Sequence, residues 1–84
     1  MKTIIHEAIN LREAGNYHAS RLLLRTLLDD SQYAAKANLY MAWSYDNEGK
    51  EKQALIHYHL ALEGDLSITE RFDALFGLAS TYRS

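Results

Sequence analysis

The sequence predicts an all-α fold, an antiparallel helix-turn-helix repeat array of about five helices. Three observations carry that prediction. Apolar residues recur at helical spacing, glycines interrupt the recurrence, and the interruption itself repeats after 34 residues. The composition agrees, with no proline, only four glycines and abundant Leu, Ala, Glu, Tyr and Arg, so little opposes long helices.

The first helix is expected from about Lys2 to Ala14, where Ile4, Ile5, Ala8, Ile9 and Leu11 share a face and Gly15 supplies a left-handed end. Asn16 is expected to cap the second helix, whose inward stripe is Tyr17, Ser20, Leu23, Leu24, Leu27 and Leu28. Asp29-Asp30-Ser31 then breaks the chain and offers the next N-cap. The third stripe, Ala34, Ala37, Met41, Ala42 and Tyr45, stops at Gly49. The fourth, Ala54, Leu55, Tyr58, Ala61 and Leu62, stops at Gly64. Ser67-Ile68-Thr69-Glu70 has the form of a capping box, in which the serine and glutamate side chains satisfy free N–H groups at a helix start. A fifth helix follows, with Phe72, Leu75, Leu78, Ala79 and Tyr82.

Gly15 and Gly49 stand 34 residues apart, and at the same offset Lys2 meets Lys36, Ala8 meets Ala42 and Leu28 meets Leu62. Small and large residues also fall in matching slots, Ser20 with Ala54, Leu24 with Tyr58 and Leu11 with Tyr45. The physical reason for such a period is that a helical pair buries its inner face only against a neighbouring pair.

With 84 residues the chain forms one domain, 1–84, and its 48% hydrophobic and 24% charged content is that of a folding sequence rather than a disordered one. A formal charge of −2, from 9 basic and 11 acidic residues, argues against nucleic acid as a partner, since no excess cation is present to neutralise phosphates. No run approaches a membrane span, and His6 and Glu7 interrupt Met1–Ile5 before a signal-peptide core can form. A soluble, cytoplasmic protein is the expectation. The absence of cysteine removes disulfides, thiolate metal sites and cysteine nucleophiles together.

The motifs resemble the tetratricopeptide repeat family, whose 34-residue helix-turn-helix carries W-x2-L-G-x2-Y, then a small residue, an aromatic and a closing proline. Met41-Ala42-x-x-Tyr45, Gly49, Ala54, Tyr58 and Ala61 fill these slots, while Asn38 replaces the tryptophan and Leu66 the proline. Ala8, Leu11, Gly15, Ser20 and Leu24 form a weaker first copy, with Glu7 in an apolar slot. Leu78-Ala79-Ser80-Thr81-Tyr82 resembles the opening helix of a third copy, displaced by a three-residue loop extension. The resemblance implies a right-handed superhelix with repeats at 1–34 and 35–68 and a partial repeat at 69–84. Because Ser84 falls where a turn and second helix would follow, it predicts a truncated array, part of a larger repeat-containing regulator, over one ending on a single helix.

The resemblance also implies function: protein–protein interaction, with a peptide or partner protein held on the concave face formed by the first helix of each repeat. The groove residues carried over are Ile5, Ile9 and Arg12; Leu39, Trp43 and Asp46; and Phe76, Ser80 and Arg83, each triplet sharing one helical face. The clamp by which some relatives hold a chaperone's C-terminal carboxylate is missing, because Ile5, Ile9, Tyr40, Asp73 and Gly77 occupy its positions. Recognition by apolar burial is expected, with Lys2, Lys36, Arg12 and Arg83 orienting the ligand. Trp43 has two readings, an interface anchor or a widening of the core stripe.

Leu75, Leu78 and Tyr82 should need a covering helix, which raises a second function: a structural, homodimerising module. Chemistry has no visible apparatus. His57 and His59 point to nearly opposite sides of a helix, His6 and His18 lack metal-ligand or triad spacing, and Ser44 and Asp46 have neither a base nor a phosphate-binding loop beside them. No enzyme activity, cofactor or metal is expected.

Overall fold

A computed structural model describes the backbone of residues 2–83 and the side chains of residues 4–82. It contains five α-helices: α1 Lys2–Glu13, α2 Tyr17–Arg25, α3 Ala34–Asn47, α4 Glu51–Leu62 and α5 Ile68–Arg83. No strand occurs among the described residues. α1 folds back on α2 and α3 on α4; α2 then packs on α3 and α4 on α5, while α3 touches both α1 and α5. The all-α, antiparallel helix-turn-helix reading therefore holds.

The two tight turns have the same construction. Gly15 and Gly49 have φ of +86° and +82°, and both close a Schellman motif. In the first, Asn16 N–H donates to Leu11 O at 2.8 Å and Gly15 N–H to Arg12 O at 3.0 Å. In the second, Lys50 N–H donates to Tyr45 O at 2.8 Å and Gly49 N–H to Asp46 O at 3.0 Å. Gly64 differs. Its φ is not positive, and it is needed for space instead, since a Cβ there would come within 2.6 Å of the Ala35 Cβ.

Other expected punctuation is realised differently. Asn16 makes no side-chain capping bond. α2 ends at Arg25 rather than near Leu28, and its last turn tightens into i→i−3 bonds from Thr26, Leu27 and Leu28 to Leu23, Leu24 and Arg25. That tightening keeps Leu27 in the core while turning the chain toward α3. Asp30 accepts a bond from Gln32 N–H at 3.0 Å, a local turn rather than a cap, and α3 starts four residues later with no side-chain cap. The capping box before α5 is formed as expected: Glu70 N–H donates to Ser67 Oγ at 3.1 Å and Ser67 N–H to Glu70 Oε1 at 3.0 Å.

Two apolar clusters hold the array. Ile5, Ala8, Leu24, Leu27, Ala37 and Met41 form the first, and Leu39, Ala42, Ala54, Tyr58, Ala61 and Ala74 the second. α3 contributes to both, so it is the spine of the molecule. Small residues set the spacing. Ser20 lies close enough to α1 for its hydroxyl to donate to Ala8 O at 2.6 Å, and Gly77 lets α5 rest on the Tyr58 ring, which a Cβ would strike at 2.6 Å.

Candidate functional site

The side of the array built from α1, α3 and α5 carries two consecutive clefts. The first, about 340 Å³, lies between α1 and α3 and is lined by Ile5, His6, Ile9, Tyr33, Lys36 and Tyr40. The second, about 300 Å³, lies between α3 and α5 against the Tyr58 hydroxyl end. Its lining is Trp43, Asp46, Asp73, Phe76, Gly77 and Ser80. Tyr40 and Trp43 join them edge to face, with ring centroids 5.0 Å apart. Both clefts sit at the low end of ligand-pocket sizes, room for a side chain or two rather than for an enclosed substrate.

Six of the nine expected groove residues line these clefts: Ile5 and Ile9 in the first, Trp43, Asp46, Phe76 and Ser80 in the second. Leu39 does not. It is fully buried beneath α4 with Ala54 and Tyr58, because its place on α3 faces the hairpin partner rather than the open side. Arg12 lies beside the clefts, with its guanidinium carbon 5.5 Å from the Trp43 ring centroid, a cation–π contact that covers part of the indole. The Arg83 side chain falls outside the described residues. Trp43 combines its two readings, half-buried against the second core cluster and still lining the open cleft.

The floor of the α3–α5 cleft is a hydrogen-bonded carboxylate. Tyr58 Oη donates to Asp46 Oδ2 at 3.0 Å, and Thr81 Oγ1 is 3.3 Å from the same oxygen while also donating to Gly77 O at 2.7 Å. Burial and the Asp46 bond push the Tyr58 hydroxyl well above its usual range, so it stays a proton donor. Asp46 thus ties α3, α4 and α5 together. With Asp73 on the rim, two carboxylates are among the described residues that line the cleft, and Arg12 stands nearby over the Trp43 ring.

The α1–α3 cleft has the opposite character. Lys36 and His6 line it, and Lys36 Nζ is 3.2 Å from Glu70 Oε2 on α5. Burial alone would raise the Glu70 carboxyl, but the Ser67 N–H bond and the Lys36 charge hold it below the usual value. Lys36, one of the residues expected to orient a ligand, is thus ion-paired with Glu70 within the chain.

On the opposite side of α3 is a strut that no periodicity in the sequence signals. Arg21, buried within the leucine-rich second helix, donates to Ser44 Oγ at 2.9 Å, pairs with Glu48 Oε1 at 2.7 Å and lies 4.1 Å from the Tyr45 ring centroid. The Arg21 bond lowers the Glu48 carboxyl below its ordinary value. Beyond Tyr45, His57 stacks on its ring at 5.3 Å and Nδ1 meets Asn38 Oδ1 at 2.9 Å. The polar Asn38–His57 pair fills the place where the resembled family has a large residue.

His59 is exposed and meets Tyr82 Oη at 3.2 Å. Among the described residues no three His, Cys, Asp or Glu side chains converge to hold a metal, and no helix is long and apolar enough to cross a membrane. Of the residues expected to mediate self-association, Leu75 and Tyr82 are exposed, whereas Leu78 packs against the second core cluster. Compared with protein-family models, curated proteins and solved structures, the chain matches none of them.

Proposed function

We propose that this protein is an interaction module of tetratricopeptide type that holds a peptide or a segment of a partner protein across the α1–α3–α5 side. One observation carries the reading. Trp43 and Phe76 flank an open cleft whose floor is a preorganised carboxylate, and large aromatics beside a fixed polar group are the usual anchors of a protein interface.

The lining specifies the ligand further. Asp46 and Asp73, between aromatic walls, favour an arginine or lysine side chain, whose stem packs on the rings while its charge meets the carboxylates. Tyr58 and Thr81 both address Asp46 Oδ2, and a basic group would take Oδ1. Ile5, Ile9 and Tyr40 in the neighbouring cleft favour an apolar side chain. A segment pairing one basic and one apolar residue fits both clefts, with the basic one over α3–α5.

Selection of random displayed dodecapeptides on the wild-type chain, counter-screened on Trp43→Ala, tests the proposal. Enrichment of sequences with a basic residue near an apolar one, lost on the variant, is expected. Enrichment that survives Trp43→Ala, or none at all, would overturn it.

A further inference from the structure

Arg12 is held beside the α3–α5 cleft by an aromatic ring rather than by a carboxylate. It stands in the last turn of α1, and its carbonyl accepts the Gly15 N–H at the helix end, so the turn fixes its backbone. The half-buried side chain reaches across to α3, with its guanidinium carbon 5.5 Å from the Trp43 ring centroid. Among the described residues the ion pairs are Arg21–Glu48, Lys50–Glu48 and Lys36–Glu70, and Arg12 takes part in none of them. Nor does its guanidinium donate a hydrogen bond to any described residue.

The surroundings give this cation a use. Asp46 and Asp73 line the cleft between α3 and α5, while Arg12 comes from α1, and neither aspartate is within ion-pair distance of it. Its charge nevertheless reaches the cleft floor: burial and the Asp46 bond raise the Tyr58 hydroxyl, and Arg12 opposes that rise. A basic side chain bound at Asp46 therefore meets a like charge as well as two carboxylates. A carboxylate carried by the same ligand turns that repulsion into attraction. The spacing says where it belongs. Arg12 follows Ile9 by three residues on α1, and Trp43 follows Tyr40 by three on α3, so a segment leaving the α3–α5 cleft toward Ile9 and Tyr40 passes the Arg12 guanidinium on its way.

We propose that Arg12 is a specificity-determining residue: the segment held across α1, α3 and α5 carries an acidic side chain between its basic and its apolar residue, and Arg12 binds that carboxylate. The inference rests on the reading of the α3–α5 cleft as a site for a basic side chain. A guanidinium suits the task, since its edge offers two parallel N–H donors to a carboxylate while its face stays on the indole. The acid is a side chain rather than a chain end, because the segment continues past Arg12 to fill the α1–α3 cleft. Lys36 in that neighbouring cleft is already paired with Glu70, which leaves Arg12 to make the contact.

Four N-acetylated tripeptide amides test the proposal: Arg-Glu-Leu and Leu-Glu-Arg, which cover both chain directions, and the same two with Gln in place of Glu. They are titrated into the 15N-labelled protein and followed at the Trp43 indole and the Gly77 amide. In the wild type, the Glu peptide of the preferred direction should bind about fivefold tighter than its Gln counterpart, the upper end for an exposed ion pair, and added salt should shrink the difference. Arg12→Gln should abolish the preference, and Arg12→Lys, which keeps the charge without the fork, should retain part of it. Equal affinity for Glu and Gln peptides in both directions, or a preference that survives Arg12→Gln, would overturn the proposal. So would a gain confined to N-acetyl-arginine with its free carboxylate, which would put the anion at a chain end. No response to any of the arginine peptides would overturn the basic-site reading itself, and the proposal with it, so the two failures are told apart.

Discussion

Two residues decide more of this structure than their size suggests. Gly77 lies against the Tyr58 ring, and Tyr58 cannot swing aside because it is fully buried and bonded to Asp46. Gly77→Ala should therefore destabilise the protein by about 2–3 kcal/mol, at the upper end of overpacking costs, as read by urea denaturation. His57 is lowered from 6.5 by burial first and then by the charges of Arg25 and Arg21. Its folded value lies below its unfolded one, so the unfolded chain takes up the proton first. Stability should fall as the pH drops from about 7 toward 5, and His57→Gln, which keeps a partner for Asn38, should flatten that limb. Glu48 and Glu70, held low, contribute stability above their unfolded values that is lost as the pH falls through the folded ones.

At this scale the sequence was legible where a residue acts through size or period. Ala42, Ala54, Tyr58 and Ala61 fill the core slots their spacing assigns them. Arg21 and Asp46 were not legible in the same way, because a buried ion pair and a shared carboxylate depend on which helices meet, and hydropathy periodicity carries no record of that. Leu39 failed for a related reason. It shares a helical face with Trp43, yet α4 reaches far enough round α3 to cover one and leave the other half open.

Among the elements, α5 depends most on its first turn. Ser67→Ala would remove one of the two capping-box bonds and should cost about 1 kcal/mol, a smaller loss than Gly77→Ala on the same helix. Gly49→Ala should also cost about 1 kcal/mol. No atom lies within 4 Å of the added Cβ, so the whole effect comes from the left-handed backbone. Both can be read from denaturation midpoints at constant m-value. The helix ends were the least legible feature. Glycine at positive φ announces itself, but the i→i−3 tightening after Arg25 answers to where Leu27 must go, not to any residue in the turn.

The whole molecule is two helical hairpins and a further helix threaded on α3, with one side open between its first helices and one face of α5 uncovered. The two clefts differ in charge: Asp46 and Asp73 line the α3–α5 cleft, whereas Lys36 beside the α1–α3 cleft is already ion-paired with Glu70. The most direct test uses the chain's single tryptophan, whose indole N–H gives one unambiguous resonance. Titrating 15N-labelled protein with N-acetyl-arginine amide should move that resonance together with the Gly77 amide, and Asp73→Asn should weaken the response. N-acetyl-norleucine amide should move them much less. Equal shifts from the two amides, or none from either, would contradict the α3–α5 cleft as a site for a basic side chain.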